Sequence, residues 1–204
     1  MRMRPFYRFS RGTVRLVFRL LWGLRVEGLE KIPRQGGMIL AVNHASYADP
    51  MVAAAGSPRE LRFFAKRELF RNPFFGGLIR ACGAFPVDRG SVGRETLQTV
   101  QEILTGGGAL LVFPEGTRSL DGKIRDARPG IGMMAARANV PVVPTYLRGT
   151  RGIGGGLRRR GTLGVFFGDP VEPGAAEGGT RKEVQRRIGE LAIERIRALQ
   201  AIYG

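Results

Sequence analysis

GMILAVNHASYADP, residues 37–50, opens on an apolar run and closes on a histidine, an aspartate and a proline. Residues 38–42 contain no polar side chain. That is the pattern of a strand buried on both faces, as in a parallel sheet covered by helices. Asp49-Pro50 reads as a helix start, with Asp as N-cap and Pro at the first helical position. His44, the only histidine of the 204 residues, therefore falls in a strand-to-helix turn. In open α/β sheets, sites form in such turns, just beyond the carboxyl ends of the strands. An aspartate there can reach one imidazole nitrogen and fix the tautomer, leaving the other nitrogen free to take a proton. A buried histidine bonded to a capping residue explains the same spacing.

The pattern repeats outward from this stretch. LRFFAK (61–66), GAFPV (83–87), ALLVFP (109–114), VPVVPTYL (140–147) and LGVFFG (163–168) are similar short apolar runs. Helical periodicity lies between them, at 50–56, 73–81, 91–105, 130–139 and 180–202. The last begins after Thr180, with Glu183 completing a capping box. Strands alternating with helices predict an α/β fold, a single domain with a mostly parallel central sheet flanked by helices. No repeat or linker divides it, so the expected organisation is an N-terminal helix over 1–24 and one domain over 25–204. The basic, glycine-rich run 148–161 is expected to be a mobile surface loop.

A net charge of +16 asks for an anionic partner: nucleic acid, anionic lipid or a phosphorylated substrate. The excess of arginine over lysine suits bidentate phosphate binding, although a GC-rich genome would also raise it. In RFSRGTVRLVFRLLWGL (8–24), Arg8, Arg11, Arg15 and Arg19 form one helical stripe. Val14, Val17, Phe18, Leu21 and Trp22 fall largely on other faces. No uncharged run approaches the ~18 residues of a spanning helix. The expectation is a basic amphipathic helix in a membrane interface; the alternative is a helix docked on the protein's own core with its arginines in solvent. One cysteine, Cys82, rules out an intrachain disulfide and suits a reducing compartment. No cleavable signal peptide is evident.

Several predicted strands end in polar, mostly cationic residues. FPEGTRS (113–119) puts Glu115, Gly116, Thr117 and Arg118 in a turn, where glycine permits close backbone approach and Thr and Arg supply donors for a phosphate. GAFPVDR (83–89) ends in Arg89, and FAKREL (64–69) adds Lys66. Ser46 lies near His44, but no G-x-S-x-G elbow makes it a nucleophile. With one His and one Cys the chain is poorly equipped for a transition-metal site, and no cofactor is expected.

NHASYAD, GAFPVDR, FPEGTRS and VPVVPTYL resemble, in order and spacing, the four blocks of the glycerolipid acyltransferase family, that of the 1-acylglycerol-3-phosphate acyltransferases. The likeness covers about residues 25–170. It implies the glycerolipid acyltransferase fold and transfer of a fatty acyl group from acyl-CoA or acyl carrier protein to the free hydroxyl of a lysophospholipid acceptor. By the same likeness His44 is the general base and Asp49 orients it. Arg118, with Glu115, Gly116 and Thr117 beside it, holds the acceptor's phosphate; Arg89 and Lys66 add anion contacts. The implied product is phosphatidic acid, made at the cytoplasmic face of the cell membrane by a peripheral protein bound to anionic lipid. The same fold could instead serve a lyso-ornithine lipid, glycerol 3-phosphate or another lysolipid. A non-catalytic basic protein is the remaining reading; it gives His44 and Asp49 no task, and no nucleic-acid-binding motif supports it.

Overall fold

The structure, a computed structural model, describes residues 3–87, 93–119, 121–154, 162–176 and 178–204. Its elements run α1 (Pro5–Trp22), β1 (Arg25–Glu27), β2 (Met38–Val42), α2 (Asp49–Gly56), β3 (Leu61–Lys66), α3 (Pro73–Ala81), β4 (Ala84–Val87), α4 (Arg94–Thr105), β5 (Ala109–Val112), α5 (Gly130–Ala138), β6 (Val142–Arg148), β7 (Gly164–Phe167) and α6 (Arg181–Tyr203). The seven strands form one sheet in the order β1-β7-β6-β2-β5-β3-β4. All pairs are parallel except β6–β7.

The opening stretch supplies the central strand. β2 is buried along its whole length and pairs with β5 on one side and β6 on the other. Its side chains alternate between two cores. Met38, Leu40 and Val42 pack with Phe18 of α1 and Val52, Ala53 and Ala55 of α2. Ile39 and Ala41 pack with α4, α5 and α6 through residues such as Leu104, Ile131 and Ile193. Chain direction explains the division. The steps β2–α2–β3 and β3–α3–β4 move across the sheet one way, and β4–α4–β5 and β5–α5–β6 move back. Right-handed crossovers therefore put α2 and α3 on one face and α4 and α5 on the other.

The capping box at Thr180 is present. β1 is a strand the sequence reading lacks: Arg-Val-Glu is too short and too polar to show periodicity, and it pairs only with β7. Thr150–Gly154 forms a 3-10 turn, whereas 155–161 of the expected loop lie outside the described residues.

α1 corrects the expected arginine stripe. Arg8 and Arg19 are exposed, but Arg11 and Arg15 turn inward, their guanidiniums donating to Ala54 O at 3.2 Å and Ala55 O at 3.5 Å. Those carbonyls lie in the last turn of α2, which is short of donors and carries the negative end of the helix dipole. Tyr7 and Phe18 are buried, and the Tyr7 hydroxyl accepts from Leu61 N at 3.0 Å. Burial pushes the Tyr7 phenol up to about 12, so it stays neutral at physiological pH. The helix thus docks on the domain, while Phe9, Leu16 and Leu20 face outward. Among the described residues no helix is long and apolar enough to cross a membrane.

Candidate active site

Parallel pairing of β2 with β5, with Ala41 opposite Val112, sets two loops side by side at the carboxyl edge of the sheet. One carries His44 and the other Glu115 to Ser119. His44 is held at every polar group of its backbone. Its N–H donates to Glu115 Oε1 at 3.0 Å, and its carbonyl accepts from Ser119 N at 2.7 Å. The imidazole stacks on Phe113 with ring centroids 3.8 Å apart and planes 14° from parallel. The preceding residue, Asn43, is buried and anchors the loop on its other side: its amide donates to Leu147 O and accepts from Leu147 N, prolonging the β2–β6 pairing with a side chain.

His44 Nδ1 lies 2.8 Å from Asp49 Oδ2. The same oxygen accepts from Ala45 N at 2.7 Å and Ser46 N at 2.8 Å. Two backbone donors hold the carboxylate, and a carboxylate at Nδ1 calls for Nδ1–H, which leaves Nε2 unprotonated and able to accept a proton. Asp49 is wholly buried, and the His44 side chain is 18% exposed. Asp49 is not the N-cap expected. Ala48 occupies that position and Asp49 is the first helical residue, because its carboxylate turns back to the loop rather than forward onto the helix. Asp49 Oδ1 is buried with no hydrogen-bond partner among the described residues.

Glu115 also departs from its expected place beside a phosphate. It is buried, and its carboxylate oxygens accept from His44 N and Arg125 N, each at 3.0 Å. A buried anion with both oxygens engaged repels a phosphate; Glu115 is a strut between the two loops. Glu115→Gln would set an N–H against one of these donors. We expect kcat to fall about tenfold and stability by about 1–3 kcal/mol, or roughly 2–4 °C of Tm per kcal/mol, with the acceptor's KM unchanged. Steady-state kinetics beside a thermal melt check this.

Gly116 adopts φ +69°, and its N–H bonds Phe113 O at 3.0 Å to close a tight turn. A Cβ there would lie 2.6 Å from Arg128 Cδ, so the Arg128 side chain crosses the turn, a cation at this loop that the sequence reading missed. Thr117 is exposed in the same turn. The Arg118 guanidinium lies 3.7 Å from the centre of the Tyr47 ring and donates to the Tyr47 hydroxyl at 2.8 Å. This contact ties the loop of His44 to that of Arg118. Arg151 donates to Ser119 O at 2.6 Å, and the Ser119 hydroxyl donates to Asp121 at 2.8 Å. That bond, and one from the Lys123 backbone, hold the Asp121 carboxyl below its ordinary range. Lys66 ends β3, exposed, with β5 between it and β2. Arg89 lies outside the described residues. Among the described residues no group of three His, Cys, Asp or Glu side chains is placed to hold a metal ion.

A buried carboxylate behind a histidine, with cations on neighbouring strand-end loops, is a site for moving a proton beside an anionic group. The Acyltransferase family model matches residues 23–148. The chain belongs to the acyltransferase family and is an O-acyltransferase. The 1-acyl-sn-glycerol-3-phosphate acyltransferase of Bacillus subtilis (strain 168) is 27% identical over 195 residues, 95% of this chain and 96% of the relative. That of Streptococcus pneumoniae is 34% identical over 83% of this chain and 64% of its own. The crystal structure of the 1-acyl-sn-glycerophosphate (LPA) acyltransferase PlsC from Thermotoga maritima superposes with a TM-score of 0.76 at 27% identity, covering 96% of this chain and 80% of that one.

Proposed function

We propose that the protein transfers a fatty acyl group from acyl-CoA or acyl carrier protein to the free hydroxyl of 1-acylglycerol 3-phosphate, giving phosphatidic acid. The observation that carries the mechanism is the buried Asp49 carboxylate on His44 Nδ1. It supports a reaction in which His44 Nε2 takes the acceptor's hydroxyl proton as that oxygen attacks the thioester carbonyl. The tetrahedral adduct collapses, the C–S bond breaks, and the imidazolium returns the proton to the departing thiolate. Asp49 stabilises the imidazolium meanwhile. No covalent acyl-enzyme is required.

The acceptor's phosphate would be held by Arg118, steadied on Tyr47, with Lys66, the Gly116–Thr117 turn and Arg89 as further contacts. Arg118→Lys keeps the charge but loses the two-pronged donor and the stack on Tyr47. The expected result is a KM for lysophosphatidic acid raised roughly 10–100-fold, about 1.5–3 kcal/mol, with kcat little changed. Acceptor titration at saturating donor measures it.

The membrane surface is the proposed workplace. The outward face of α1 carries Phe9, Leu16 and Leu20 beside exposed Arg8 and Arg19, and α1 contains no acidic residue. Apolar side chains flanked by arginines suit peripheral attachment to anionic lipid, here proposed for the cytoplasmic face of the cell membrane. Mass-spectrometric detection of diacylglycerol 3-phosphate from lysophosphatidic acid and each thioester tests the proposal and separates the donors; neither donor giving that product refutes it.

A further inference from the structure

α3 is built inside out. Gly76 is its one buried residue, pressed so closely on the preceding 3-10 turn, Arg67–Phe70, that a Cβ would lie 2.9 Å from Phe70 Cα. The bulky side chains point the other way. Phe74 is 89% exposed, Phe75 47% and Leu78 49%. Asn72 caps the helix by accepting from Phe75 N at 2.9 Å, so its first turn is held rather than frayed. A helix that buries its glycine and presents its aromatics to the outside is the reverse of ordinary amphipathic packing.

The surroundings identify what covers it. α3 lies on the same face of the sheet as α2, and its end comes near α1, where a Cβ on Gly83 would lie 3.6 Å from the Tyr7 ring. Large exposed apolar side chains gather on this layer, on α1, α2 and α3. On the described parts of α4, α5 and α6 the only one is Ile202. Exposed Arg71 and Arg80 flank the aromatics of α3, and exposed Lys66 precedes them. A second copy of the chain would oppose these cations to their own kind. An anionic leaflet offers hydrocarbon to the rings and phosphates to the cations at once.

We propose that α3 is a second membrane-contacting element, with Phe74, Phe75 and Leu78 seated at the headgroup–acyl boundary of an anionic leaflet. α3 starts near the carboxyl ends of the strands, so this contact would turn the edge bearing His44 and Lys66 toward the lipid that supplies the acceptor. The inference rests on the membrane reading above, but its test does not depend on turnover.

Binding of the full chain to sedimented vesicles of phosphatidylcholine, with and without phosphatidylglycerol, is compared among wild type, Phe74→Asp/Leu78→Asp and Leu16→Asp/Leu20→Asp. A thermal melt shows that each variant is folded. Phe74→Trp in a Trp22→Phe background, which removes the chain's one native tryptophan, reports depth through quenching by spin-labelled lipid. The expected results are partition weakened at least about tenfold by the α3 pair and fluorescence of the introduced indole quenched by shallow labels on anionic vesicles only. The proposal is overturned if the α3 pair binds like wild type while the α1 pair does not, if the quencher leaves the fluorescence unchanged, or if the α3 pair abolishes self-association or acyl carrier protein binding instead. Each of those results leaves the acyltransferase reading standing, since that is judged by product formation alone.

Discussion

His44→Ala is expected to lower kcat by about 10²–10⁴-fold with the fold intact. The histidine ring packs on Phe113 and is partly exposed, so its loss opens no sealed cavity, and the backbone bonds to Glu115 and Ser119 need no side chain. The melt should therefore stay near wild type while turnover collapses, and the KM of an acceptor held, as proposed, by cations on other loops should move little. A variant that loses activity only by unfolding would show a shifted melt and give no support to the assigned role. Kinetics and melting measured on the same preparation separate the two.

Asp49→Ala is the second large effect, and it differs in kind. One carboxylate oxygen holds His44 Nδ1, Ala45 N and Ser46 N together. Removing it frees the tautomer, withdraws the negative charge that steadies the imidazolium in the proposed mechanism, and strands two backbone donors. Loss of roughly 10³-fold in kcat and about 2–4 kcal/mol of stability is expected. Asp49→Asn divides these contributions. Its amide oxygen can take all three bonds while its NH2 occupies the place of Oδ1, the oxygen with no partner among the described residues. Geometry and tautomer then survive and only the charge is lost, so kcat should fall by about 10–10²-fold, the worth of a charge-assisted hydrogen bond. An Asn variant as impaired as the Ala variant would mean that charge, not orientation, is the aspartate's whole contribution.

What was readable in advance follows from how each feature is encoded. A short unbroken apolar run such as Met38–Val42, set among alternating helical patterns, reads as a strand covered on both faces, and the placement of His44 at its end follows. Direction of side chains is not encoded this way. The arginines at 11 and 15 share a stripe with those at 8 and 19, yet the free carbonyls closing α2 draw them inward, and no local pattern announces a neighbour about 40 residues away. Asp49 meets the imidazole of His44 as expected but binds Ala45 N and Ser46 N instead of capping α2, and Glu115 binds backbone N–H groups of His44 and Arg125 rather than standing beside a phosphate. Asp49 binds backbone N–H groups within its own turn, whereas Glu115 reaches His44 N only because the register of β2 against β5 sets their loops side by side. Tyr47 lies within the first block without a role in the sequence reading, because a ring's value to Arg118 appears only once the two loops are adjacent. One signal is present in the sequence: Tyr47 lies three positions after His44 and Arg118 three positions after Glu115, so loops that meet at one pair can meet at the other.

The most direct test of the proposed reaction is thiol release by the purified protein from palmitoyl-CoA and from palmitoyl-acyl carrier protein, each with and without lysophosphatidic acid. The expected result is release from at least one donor that depends on the acceptor and matches phosphatidic acid formed mole for mole. Release that proceeds equally without acceptor, or none from either donor across phosphate-bearing acceptors, would contradict it.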